Sequence, residues 1–143
     1  MNKRYVPKSL SNKDKKKQIK MLIKSKKLYK KGKYYTRKKI ISFTSKKSNH
    51  IKNAKKIYKV HKIGATNELV RKTGCSKKAL SKIIKKGQGA YYSSGSRPNQ
   101  TAHSWGIARL ASSITSGKSA VVDYHILEKG CDHKKTAFKL AKK

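Results

Sequence analysis

Forty lysines and arginines meet only five aspartates and glutamates in this 143-residue chain, and that imbalance limits what it can fold into more than any other feature. A formal charge of +35 drives a compact chain apart unless something negative lies against it. Arginine supplies only Arg4, Arg37, Arg71, Arg97 and Arg109; the rest is lysine. Hydrophobic residues make up 35%, against roughly 45–50% in an ordinary globular domain, so a core of ordinary size is not expected. Five acids leave few carboxylates for acid–base chemistry, which argues against a typical metabolic enzyme. No apolar run approaches the ~20 residues of a membrane span. The opening Met1-Asn2-Lys3-Arg4-Tyr5-Val6-Pro7 lacks the apolar stretch of a secretory signal. Two cysteines, Cys75 and Cys131, supply no disulfide framework and suit a reducing compartment.

The charge is unevenly spread. Residues 1–62 hold 24 Lys and Arg with one acid, Asp14, whereas 63–143 hold 16 with four acids and most of the glycine. This predicts a mainly α chain: a basic, partly helical N-terminal arm over 1–62, then a compact helical domain over 63–143 organised around a Gly/Ser-rich loop. In the arm, Ser11 and Asp14 mark a helix start. Ile19, Leu22, Ile23 and Lys26 share a face edged by Met21, and Gly32 is a stop. Residues 34–37 and 40–43 look extended. Ser48 caps a second helix with Ile51, Ala54, Ile57 and Tyr58 at helical spacing. Both stripes are too narrow to fold alone, so they dock on the C-terminal domain or order on a partner. Beyond residue 63, helices are expected over 66–72, 76–86, 102–114 and 119–129, with a strand over 120–127 left open, and from Asp132 or His133 to the end. Residues 87–101, with one charge, read as an irregular loop.

Residues 66–87 resemble a helix-turn-helix. Gly74 takes the positive φ of the turn, Ser76 caps the second helix, and Leu69, Val70, Leu80 and Ile83 pack the pair. The second helix would offer Lys77, Lys78 and Lys82 to a groove. Base readers present Arg, Asn or Gln, so contact there would go to phosphates without sequence choice. The same pattern also describes two core helices joined by a tight turn. The clusters Lys15-Lys16-Lys17, Lys26-Lys27, Lys38-Lys39 and Lys55-Lys56 suit a polyanion, whose binding would weaken steeply with salt. Tyr91, Tyr92, Arg97 and Trp105 flank the loop. Such a set stacks on bases or holds a phosphate, but a loop this polar needs internal hydrogen bonds, so a loop-organising role is expected. Ser116-Gly117-Lys118-Ser119 imitates the tail of a P-loop without its strand or its glycines. Cys131, Asp132, His133, Cys75 and His125 lack metal-site spacing, and nothing aligns Cys75, Cys131, His103, His125 and Asp123 as a nucleophile with its base. No catalytic residue, cofactor, metal or small-molecule substrate is expected.

Several blocks together carry a resemblance: Tyr35-Thr36-Arg37-Lys38-Lys39, Ser42-Phe43, the 48–58 stretch, and above all Lys86-Gly87-Gln88-Gly89-Ala90-Tyr91-Tyr92-Ser93-Ser94-Gly95-Ser96-Arg97-Pro98-Asn99-Gln100-Thr101 with Ser104-Trp105-Gly106 and Ala108-Arg109-Leu110-Ala111-Ser112. Over about residues 34–130 the chain resembles an uncharacterised small basic protein family of giant and other large double-stranded DNA viruses, with related segments in large tailed phages. The resemblance implies a viral gene product and supplies no catalytic residues. Resemblance and charge together lead to the expectation of a viral structural protein. It would be a minor capsid or internal virion component, made in the host cytoplasm or nucleus, binding acidic capsid protein, membrane headgroups or packaged DNA. The alternative is a non-sequence-specific DNA-binding protein using the helix-turn-helix-like segment over 66–86.

Overall fold

The computed structural model describes residues 4–44 and 49–142, so Ser48 and its expected cap lie outside it. Ser11 opens helix α1 (Asn12–Lys30) by accepting a hydrogen bond from the Asp14 N–H, and Asp14 sits at the positive end of the helix dipole. At the far end Gly32 N–H bonds to Tyr29 O and Lys33 N–H to Leu28 O, a Schellman closure with Gly32 at φ 77°. The remaining helices are α2 (Asn49–Tyr58), α3 (Asn67–Thr73), α4 (Lys77–Ser93), α5 (Ala102–Ser113), α6 (Lys118–Val122), α7 (Tyr124–Gly130) and α8 (Thr136–Lys142). The chain is thus mainly α, and the described residues contain no strand beyond an isolated bridge between Cys75 and Cys131.

Packing divides the chain into two units, Met1–Lys47 with Gln88–Trp105, and Ser48–Gly87 with Gly106–Lys143. The division does not follow the expected boundary after residue 62. Helix α2 belongs to the second unit, where Ala54 and Tyr58 join its core, and residues 88–105 belong to the first.

In the first unit the buried face of α1 is Gln18, Met21, Leu22 and Ser25, rotated from the expected Ile19/Leu22/Ile23/Lys26 stripe. Ile23 is 44% exposed. Two polar residues turn inward because each finds a partner: Gln18 Nε2 donates to Tyr5 O, and Ser25 Oγ donates to Tyr92 O. Leu10, Met21 and Ile40 form a small core, flanked by Val6, Tyr35 and Phe43. Residues 33–40 are irregular rather than strands. The amide of Asn99 takes the ladder's place there, accepting from Ile40 N–H at 2.6 Å and donating to Ile40 O at 3.1 Å.

The second unit buries Val60, Ile63, Leu69, Leu80, Ile83, Leu110, Ile114, Leu127 and Phe138. Thr66 caps α3 and Ser76 caps α4, each by accepting from the N–H three residues on. Gly74 adopts φ 79°, and a Cβ there would also lie 2.4 Å from Lys135 Cβ. The α3–α4 pair therefore has the turn chemistry expected for 66–86, with Leu69, Leu80 and Ile83 fully buried. Cys75 and Cys131 stand opposite each other, Ser76 N–H bonding to Gly130 O and Asp132 N–H to Gly74 O, and their sulfurs are bonded. This corrects the expectation that the two cysteines supply no disulfide and suit a reducing compartment: residues 56 apart in sequence are brought together by two turns that pair edge to edge. It also removes both from any metal or nucleophilic role.

Helix α4 does not stop at Lys86. It continues to Ser93, leaving only 94–101 irregular. Glycine inside it is tolerated for a packing reason, since a Cβ on Gly87 would lie 2.6 Å from Gly106 Cα on α5. Thr101 and Ser104 then form a reciprocal cap for α5, each hydroxyl accepting from the other's N–H. The expected 119–129 helix is broken at Asp123, whose side chain is fully buried and accepts from Arg109 and Ser113. Asp123 is thereby committed to structure. The last helix begins at Thr136, because Asp132 Oδ1 holds the Lys134 N–H in a turn before it.

Candidate polyanion-binding surface and the block that orders it

Within the distinctive 86–112 block, the stretch from Tyr91 to Ser96 is held by a residue outside it. Arg37 is buried, and its guanidinium enters the bend between α4 and α5. Nη1 donates to Tyr91 O at 2.9 Å and to Ser25 Oγ at 3.2 Å, while Nη2 donates to Ser96 Oγ at 2.7 Å. The Arg37 N–H donates to Tyr91 Oη at 2.9 Å, and the guanidinium carbon lies 3.8 Å from the Tyr91 ring centre. All these partners are neutral. Burial pushes the guanidinium below its ordinary pKa, and the Tyr91 hydroxyl beside it acts in the opposite sense. A cation taken from water costs several kcal/mol or more, so every donor must be met. Two serines, a carbonyl and the face of Tyr91 provide partners here.

Of the expected loop-organising set, Tyr91 is fully buried and central. Tyr92 is half-buried, with its ring edge-on to Tyr91 at 5.1 Å. Trp105 is half-buried and meets Tyr5 edge-on at 6.2 Å. Arg97 is exposed, and its carbonyl accepts from Ser96 Oγ. The organising guanidinium is thus Arg37, which sequence reasoning missed. Its signal was a lone arginine among lysines in an aromatic stretch, where a planar fork of donors has a use that a point charge lacks. Asn99 was missed too; its φ of 63° suits an asparagine in a turn.

The expected polyanion-binding lysines fall on both units. In the first, Lys15, Lys16, Lys17, Lys26 and Lys27 lie on α1, with Lys38 and Lys39 in the irregular segment; Lys17 Nζ reaches Lys39 O at 3.4 Å. All are exposed except the half-buried Lys15. Along α1 the expected Lys27 joins Lys20, Lys24 and Lys31 around Ile23 and Leu28 in a shallow hollow. In the second unit, exposed Lys55 and Lys56 end α2, and exposed Lys77, Lys78 and Lys82 begin α4. The first turn of α4 contains no acid, so Lys77 and Lys78 add positive charge to the positive end of a helix dipole. Few acids remain to offset any of this. Asp123 is paired with Arg109 at 2.7 Å, and Asp14 accepts from the Ser42 N–H, the first cause that holds its carboxyl below the ordinary value being its bonding to Ser42.

Among the described residues, no helix is long and apolar enough to cross a membrane. Compared with curated proteins and with solved structures, the chain has no match. Over residues 2–132, from the start of the arm to just past the disulfide, it matches the family of unknown function DUF5824, and it belongs to that family.

Proposed function

We propose that this protein is a non-enzymatic structural protein whose basic surface binds a polyanion. In this reading it is a minor capsid or internal virion component, set against acidic capsid protein, membrane headgroups or packaged DNA. One observation carries the proposal: forty basic residues share five acids, and the acid at Asp123 is already spent on an internal pair. The lysines on α1 and at the start of α4 are therefore left for an outside partner. The virion setting is supported by the resemblance of the 86–112 block to small basic proteins of large double-stranded DNA viruses.

The turn geometry of α3 and α4 favours DNA as a second reading. Lys77, Lys78 and Lys82 project from the start of the helix that would meet the duplex, where they would contact phosphates without reading bases. Titration of the purified protein with heparin, duplex DNA and anionic vesicles tests both readings. Binding that engages 6–10 phosphates should weaken by about 10³–10⁵ between ~50 and ~200 mM salt. Absence of binding to all three at the lower salt eliminates the proposal. Mass spectrometry of purified particles tests the virion assignment separately.

A further inference from the structure

Three tyrosines of the first unit meet at the C-terminal end of α1. The Schellman closure at Gly32 folds the chain back so that the Tyr34 ring comes to 6.2 Å from Tyr29 and 5.0 Å from Tyr92, while Tyr29 and Tyr92 lie nearly parallel, 11° apart, at 6.0 Å. Aromatic side chains normally repay their place by burial, yet Tyr34 is 73% exposed. The cluster is tied to the buried side of the unit through Tyr92. Ser25 Oγ anchors the Tyr92 carbonyl, and Tyr91, clamped by Arg37, meets the Tyr92 ring edge-on. Exposed Lys30, Lys31 and Lys33 adjoin it in sequence. The residues of this unit include twenty Lys and Arg and a single acid, Asp14.

We propose that Tyr34, with Tyr29 and Tyr92 behind it, is a base-stacking platform for single-stranded nucleic acid, the flanking lysines holding its phosphates. This deepens the polyanion reading and rests on it. The occupant follows from the two chemistries present together. An acidic protein or a lipid headgroup would use the lysines but leave an exposed, pre-positioned ring unused. A duplex offers phosphates but keeps its π faces inside. Only an unpaired strand offers both, and every base has a face to stack. A platform already held in place loses little freedom when a base settles on it.

Fluorescence anisotropy with an oligo(dT) of about 15 nucleotides, a duplex of equal phosphate number, heparin, and vesicles containing phosphatidylserine tests the proposal. The wild-type protein should prefer the single strand. Tyr34→Ala should weaken oligo(dT) binding about tenfold while leaving heparin affinity unchanged, and Tyr34→Phe should retain wild-type binding. Because Tyr34 is exposed, the Ala variant should keep its circular dichroism spectrum and melting temperature. If Tyr34→Ala binds oligo(dT) as tightly as the wild type, or if duplex or vesicles bind as well as the single strand, the stacking site is overturned while the polyanion reading stands. If none of the polyanions binds at low salt, both fall.

Discussion

A guanidinium buried among neutral partners is an uncommon solution, and at Arg37 it has a structural consequence. Its donors tie Ser25 on α1 to a distant stretch of sequence, Tyr91 on α4 and Ser96 in the bend after it. Removing the side chain takes a donor from two buried hydroxyls and a carbonyl. Arg37→Ala should therefore cost about 3 kcal/mol or more in chemical denaturation. Arg37→Lys should recover only part of that, because one ammonium cannot span the same fork. Arg97, the arginine expected to organise this bend, is exposed and serves as the control. Arg97→Ala, measured in the same denaturation series, should change stability by less than about 0.5 kcal/mol.

At the scale of elements, α2 illustrates how a narrow stripe becomes a core element. Ala54 and Tyr58 are buried, Ile51 is half-buried, and Ile57 remains 43% exposed. The Tyr58 hydroxyl donates to the carbonyl of Ile114, at the end of α5, and burial pushes its pKa well above the ordinary 10.0. The sign of the resulting pH dependence follows directly. A folded-state pKa raised above the unfolded value means that Tyr58 contributes fully below pH 10 and loses that contribution as the pH climbs beyond it. Denaturation at successive alkaline pH values should show this decline. Tyr58→Phe should be less stable at neutral pH by about 1–2 kcal/mol and should lack that part of the alkaline loss. Lysine neutralisation at similar pH relieves self-repulsion in both proteins, so the difference between them isolates Tyr58.

For the whole molecule, the dominant facts are a large unbalanced charge and one covalent tie. The Cys75–Cys131 disulfide joins the α3–α4 turn to the turn between α7 and α8, closing a loop of 56 residues in sequence separation. Constraining the unfolded chain in this way is worth roughly 4 kcal/mol by loop entropy. Reduction, or Cys75→Ser with Cys131→Ser, should lower the melting temperature by roughly 10 °C. An unchanged melting point after confirmed reduction would show that the surrounding core holds these turns unaided.

What could be read in the residues themselves was local. Thr66, Gly74 and Ser76 specified the α3–α4 turn, Ser11 and Gly32 the ends of α1, and the charge count the excess of bases over acids, because caps, positive φ and net charge are set by neighbours or by addition alone. Periodicity also located the helices, but it mistook which face of α1 turns inward. Gln18 and Ser25 are buried only because Tyr5 and Tyr92, distant in sequence, accept their hydrogen bonds. The same reason hid Arg37, Asn99 and the disulfide, and it concealed the continuation of α4, since the glycine at 87 is explained only by Gly106 packed against it. Each of these depends on a partner that the chain supplies from elsewhere, and only the tertiary structure decides which residues become neighbours.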